Sequence, residues 1–146
     1  MNASATLAGR LEQVCREFSS LDARERLELL LEYAESMPPL PERFAAQRHD
    51  EAHRVPECQT PVYLFTELED GRLRLYADVA PEAPTVKGFV ALLQELVSGA
   101  VPDEVATLDI DVLRQLGLVE ALGMMRMRGL HAVFQRIRNE ARKLAA

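Results

Sequence analysis

Cys58 sits in the run Arg54-Val55-Pro56-Glu57-Cys58-Gln59-Thr60-Pro61-Val62-Tyr63-Leu64, between two prolines at the end of a long polar segment. Pro56 and Pro61 each fix their own φ and restrict the residue before them, so Glu57 to Thr60 are expected to form a short, stiffened loop. Val62-Tyr63-Leu64-Phe65, β-branched and aromatic, then predicts a strand. A thiol held on loop backbone among Arg, His, Glu and Gln is set up to attack another molecule. Thiolate fraction raises the rate of such an attack, while acidity lowers intrinsic nucleophilicity, so a pKa near ambient pH suits it best. Arg54 and His53 favour the thiolate, and Glu57 opposes it. A stiff loop also limits the entropy lost on docking, which suits a group that must engage a partner and leave.

Cys15 reads differently. Leu7, Leu11, Val14 and Phe18 recur at helical spacing with Cys15 on the same broad face, so this thiol is expected in the core with no lowering of its pKa. The two cysteines form neither a disulfide framework nor a zinc pattern, and His49, Asp50 and His53 lack metal-ligand spacing, so no metal is expected. A cysteine-dependent hydrolase would pair Cys58 with His49, His53 or His131 as base, but no local signature of a triad or an oxyanion hole accompanies them. A cluster scaffold needs more ligands than one exposed cysteine. A non-catalytic interaction module stays open as a reading if Cys58 is buried.

The elements that must position the loop are legible in order. After the first helix, Ser20 or Asp22 caps a second, with Glu25 placed for a capping box and Leu27, Leu30, Leu31, Ala34 and Met37 inward. Pro38-Pro39 stops it. An irregular lead-in follows to Cys58, with a helical turn around residues 40–46; a loop of that length favours a functional site. A hairpin comes next, Val62 to Leu68 and Leu73 to Val79 about Glu69-Asp70-Gly71. In its second strand Leu73, Leu75, Ala77 and Val79 alternate with Arg72, Arg74, Tyr76 and Asp78, so one face is buried. Two strands alone are marginal, so helices are expected on that face and a third strand near Arg54. Thr85 is read as the cap of a helix ended by Gly99, short helices begin at Pro102 and at Asp109 or Asp111, and the last runs from about Gly123. Gly129 inside that helix is costly unless something packs close to it. The fold class is α+β, a single domain over residues 1–146 with a small antiparallel sheet against several helices.

At 146 residues with 48% hydrophobic and 27% charged content, the chain can build one ordinary core and gives no case for disorder. No apolar run approaches the ~20 residues of a bilayer crossing, and Met1 to Thr6 lacks the pattern of a signal peptide, so the expected address is cytoplasmic and away from membranes. The net charge of −6 hides a basic end: Arg126, Arg128, Arg136, Arg138, Arg142 and Lys143 face Glu140 alone after Gly123. With no aromatic interleaving beyond Phe134 and an acidic remainder, this end is read as a solvated face or a docking surface for acidic protein groups, not as a nucleic-acid site.

The same loop also carries a resemblance. Val55-Pro56-x-Cys58-Gln59-x-x-Val62 resembles the signature of the SufE-like sulfur acceptors, partners of cysteine desulfurases in iron–sulfur cluster assembly. Val86-Lys87-Gly88-Phe89, Leu116-Gly117-Leu118 and Arg126-x-x-Gly129-Leu130 resemble further landmarks in the family's order, covering roughly residues 20 to 144. The resemblance implies that Cys58 takes sulfane sulfur from the desulfurase persulfide, stimulates that enzyme, and delivers sulfur to a cluster-assembly scaffold. It implies a persulfide carrier and activator, not a stand-alone enzyme, without a cofactor of its own; PLP is expected only on the partner. Arg126, Gln59, Arg54 and Asp78 are the expected partner-binding or charge-stabilising residues, although two extra residues separate Asp78 from Lys87. The chain departs from the commonest pattern at Glu57, where glycine is usual, and at Thr60-Pro61. Glycine allows φ values that Glu57 does not adopt easily, so the loop is expected to be set differently and the thiol to be less acidic.

Overall fold

The computed structural model describes residues 6–109 and 111–146; of the stretch Met1 to Thr6, which lacks a signal-peptide pattern in sequence, all but Thr6 lies outside the described residues. Helix α1 (Leu7–Ser19) opens on Thr6, whose Oγ1 accepts the Gly9 N–H at 3.0 Å. Helix α2 (Ala23–Glu35) opens on the expected capping box: Asp22 accepts the Glu25 N–H and Glu25 accepts the Asp22 N–H, both at 2.9 Å. Strands β1 (Val62–Glu69) and β2 (Arg72–Val79) pair antiparallel in the register Val62↔Val79 to Glu69↔Arg72. Asp70 and Gly71, at φ 54° and 77°, make the two-residue turn between them, and two positive φ values are what the twist of a tight hairpin requires.

Leu73, Leu75, Ala77 and Val79 are buried as their alternation predicts, against helix α3 (Pro84–Val97), the most enclosed helix of the molecule. On its far side α3 meets α2 so closely that a Cβ on Gly88 would lie 2.0 Å from the Leu30 carbonyl oxygen. Three short helices, α4 (Pro102–Ala106), α5 (Val112–Gln115) and α6 (Leu118–Leu122), lead to the long α7 (Met124–Ala145). Helix α7 buries Met127, Leu130, Val133, Phe134, Ile137 and Ala141 and packs against α4 and β1. No helix among the described residues is long and apolar enough to cross a membrane.

Three local expectations need correction: the third strand, the cap at Thr85, and Leu31, which is 40% exposed on α2 and not turned inward. The third strand is reduced to one bridge, Arg54↔Tyr63, and the bond from the Val55 N–H to the Val62 carbonyl at 2.9 Å. Pro56 has no N–H to extend the ladder. The lead-in covers the outer face of the hairpin with side chains instead: Phe44 lies 4.9 Å from Phe65 and 5.7 Å from Tyr76, His53 stacks on Phe65 at 4.2 Å, and His49 lies against Tyr63. The segment is wound into two 3₁₀ turns, Glu42–Gln47 and Glu51–His53. Thr85 does not cap α3, because the helix already starts at Pro84, whose fixed φ suits a first helical position. Helix α6, not anticipated in sequence, follows Gly117 at φ 68°.

Because the neighbour of Gly88 is backbone and cannot rotate away, Gly88→Ala is expected to cost about 3 kcal/mol or more. A urea melt should show a clearly lower midpoint; an unchanged midpoint would mean that α2 and α3 are not packed this closely.

Candidate functional site

The neck of the cysteine loop is closed by backbone. Val55 and Val62 are joined by the bond that ends the bridge, and the Cys58 N–H donates to the Val55 carbonyl at 3.2 Å. Between these anchors Pro56, Glu57 and Gln59 face solvent, as a projecting loop should. The thiol does not. Cys58 is only 5% exposed and turned inward onto α7, although its neighbours along the loop are polar and exposed. Its receiver is Gly129: a Cβ there would lie 2.9 Å from Sγ and 3.3 Å from the Cys58 Cα. The close approach foreseen at Gly129 is therefore made by the cysteine itself, and any larger residue would deny the sulfur its seat.

Burial disfavours the thiolate first, and the neighbouring Glu57 carboxylate adds to it, while Arg54 works the other way; together they push the thiol up to about 11. In this position Cys58 is protonated at neutral pH. The sulfur nonetheless borders an open cavity of about 930 Å³. Glu57, Cys58, Gln59 and Thr60 form one wall, the start of α7 from Met124 to His131 forms the other, and Val86 of α3 contributes to the lining.

Cys58, Gln59 and Arg126 line the same cavity. Arg54 is half-buried beneath the loop, 3.8 Å from Glu51, and reaches the thiol through its charge. Asp78 is not part of the cavity lining; it pairs with Arg48 at 3.4 Å and His49 at 3.1 Å and so ties the lead-in to β2. His53 is engaged elsewhere, its Nδ1 3.1 Å from the Leu64 carbonyl oxygen. Of the three histidines considered as bases only His131 borders the cavity, and among the described residues none is hydrogen-bonded to Sγ. Cys15 is half-buried on α1 with its thiol also pushed up by burial, in keeping with an inert cysteine. Among the described residues no group of three or more His, Cys, Asp or Glu is arranged to hold a metal ion.

Sequence reasoning missed the lip of the cavity. Met124 and Met125 are 74% and 85% exposed, the two most exposed large apolar side chains described. The available signal was two methionines directly after Gly123, ahead of the regular apolar spacing that begins at Met127. Beside them Arg126 and Arg128 are exposed and, among the described residues, form no ion pair. The remaining basic residues of α7 are engaged: Arg136 and Arg138 donate to backbone carbonyls, Arg142 to Asn139, and Lys143 pairs with Glu140. The basic end resolves into an anchoring part and a free part at the mouth of the cavity.

A family model described as SufE: Fe-S metabolism associated domain matches residues 12–141. An uncharacterized SufE-like protein of Mycobacterium tuberculosis is 32% identical over 144 residues, spanning 98% of this chain and 99% of that one. Another from Synechocystis is 31% identical over 140 residues, covering 95% and 84%. The solution structure of a hypothetical protein from Thermus thermophilus superposes with a TM-score of 0.78 at 40% identity, covering 92% of this chain and 94% of that one.

Gly129→Ala is expected to expel the sulfur, since the α7 backbone is less free to yield than a short loop. Each unit by which the Cys58 pKa falls from about 11 raises its thiolate fraction at pH 8 about tenfold, so iodoacetamide should label Cys58 about tenfold faster or more in the variant. Equal labelling rates across pH 7 to 10 would contradict the seating of the sulfur on Gly129.

Proposed function

Because the chain belongs to the SufE family and so to Fe-S metabolism, we propose that it is a sulfur acceptor that loads Cys58 from a cysteine desulfurase, stimulates that enzyme, and hands the sulfur to a cluster-assembly scaffold in the cytosol. The observation that carries this reading is a lone thiol bordering an open cavity whose mouth bears two arginines without an ion pair among the described residues and two exposed methionines. The transfer is a thiol exchange. The Cys58 thiolate attacks the outer sulfur of the partner's Cys–S–SH, forming a new S–S bond at Cys58 while the bond between the partner's two sulfurs breaks. The partner leaves as thiolate, the outer sulfur keeps its proton, and no net oxidation occurs. PLP chemistry, which makes the persulfide, belongs to the partner; this chain supplies the acceptor.

Attack cannot begin from the seat on Gly129, where the thiol is protonated and enclosed. The loop must turn outward, and its anchors limit how far: Cys58 lies three residues from Val55, so its Cα can stand at most ~10 Å from that anchor. Outside, Cys58 leaves the desolvating contact and meets Arg126 and Arg128, which favour both a thiolate and the persulfide anion. Returned inward, a persulfide would lie along the cavity, shielded from other thiols. Met124 and Met125 supply adaptable apolar contact and the arginines select acidic groups on the partner, a pairing that suits a transient dock. Gln59, exposed beside Cys58, is read as a partner contact, and Asp78 serves through the lead-in it ties down.

A second reading, a non-catalytic interaction module, draws on the burial of Cys58, and one experiment separates the two. After incubation with a cysteine desulfurase and free cysteine, intact mass should show a gain of one sulfur that is lost in Cys58→Ser and kept in Cys15→Ser. No gain and no stimulation would favour the module. Arg126→Ala should weaken stimulation, with the apparent affinity for the desulfurase falling about tenfold; wild-type affinity would remove Arg126 from the docking face.

A further inference from the structure

The cysteine loop is held at its stem by one side chain that the sulfur chemistry does not use. Arg136, two turns beyond Gly129 on α7, donates from Nη2 to the Ala52 carbonyl at 2.6 Å and from Nη1 to the Arg54 carbonyl at 2.9 Å. Its Nε donates to Glu140 Oε2 at 3.3 Å, and the other oxygen of that carboxylate accepts from Thr66 Oγ1 of β1 at 3.4 Å. The guanidinium is half-buried and spends donors on three acceptors. A planar, permanently charged fork suits such a task, and a lysine could satisfy only part of it. Helix α7 therefore touches the loop twice: at Gly129, where it receives the sulfur, and at Arg136, where it grips the backbone just before Val55.

We propose that Arg136 is a positioning residue that fixes the stem of the Cys58 loop, confining the outward excursion to residues 56–61 and returning the sulfur to Gly129. The proposal rests on Cys58 as the working thiol but not on any partner. With the stem gripped, the hinges fall at Val55-Pro56 and Pro61-Val62, and the moving piece is six residues braced by two prolines. Without the grip, the Ala52 and Arg54 carbonyls lose their charged donor, and the stem is left to the Arg54–Tyr63 bridge, the Val55–Val62 bond and the contacts of His53, so freedom extends further back toward the 3₁₀ turn Glu51–His53. A longer mobile segment has more open conformations, so the seated state loses population. The groups governing the thiol then change together: Glu57 and Arg54 on the loop move with it, while Arg126, Arg128 and His131 on α7 stay at the cavity.

The test needs no desulfurase. Wild type, Arg136→Gln and Arg136→Lys are labelled with iodoacetamide from pH 7 to 10, and each cysteine is followed by peptide mass. In Arg136→Gln, Cys58 should label about tenfold faster, as expected when a charge-assisted bond leaves the seated state, with its pH profile moved to lower pH. Cys15 should label at the wild-type rate, because it lies on α1 away from the loop. Arg136→Lys should be intermediate at Cys58, and it carries the test alone if the glutamine variant does not fold. A wild-type rate and profile at Cys58 in the folded variants, or a parallel rise at both cysteines, would overturn the proposal, the latter by showing general loosening. Failure of Cys58 to gain sulfur from a desulfurase would leave these labelling outcomes intact, so the two readings fail separately.

Discussion

The approach of Cys58 to Gly129 is the constraint on which the rest of this site depends. A sulfur atom is seated where almost any other residue on α7 would have placed a side-chain carbon. That seat removes the thiol from water, which raises its pKa and stills its reactivity without a disulfide, a metal or a modification. The cost to the helix of a glycine in its interior, about 1 kcal/mol against alanine, is small beside what an ejected loop would do to the resting state. The burial that quiets the thiol joins Cys58 to the edge of the hydrophobic core, although the residue is carried by one short loop.

The surrounding structure can be understood as support for that seat. The hairpin fixes where the loop ends, since Val62 begins β1 and pairs with Val55. The lead-in fixes where it begins, laid over the outer face of the hairpin by Phe44, His49 and His53 and tied to β2 by the pairs that Arg48 and His49 make with Asp78. Helix α3 backs the sheet and is itself locked to α2 at Gly88, so the floor of the site is rigid. Beyond this floor lie the exposed residues of the loop and the exposed lip of α7.

Much of this frame is legible in sequence because its signals are local. Asp70-Gly71 specifies the turn, Asp22 and Glu25 specify the start of α2, and the alternation in β2 separates its buried face from its wet one. The third strand fails to form because aromatic covering replaces hydrogen-bonded pairing, and Pro56 ends the ladder after one bridge. Gly129 signals that something comes close, but which atom does so depends on a fold that brings residues far apart in the chain together. The direction of Cys58 is hidden for the same reason: polar neighbours in sequence describe the loop surface, while the sulfur looks the other way. Arg136 is concealed among six basic residues, since its partners are backbone carbonyls, which no residue type advertises.

The sharpest check on this account is a pH titration of thiolate absorbance in the Cys15→Ser chain, where Cys58 is the remaining cysteine. The resting seat predicts a midpoint near 11, raised above the ordinary range of a cysteine by burial and by Glu57. A midpoint at or below the ordinary value would mean that the thiol already stands in water or beside a cation at rest, and the enclosed resting state described here would be wrong.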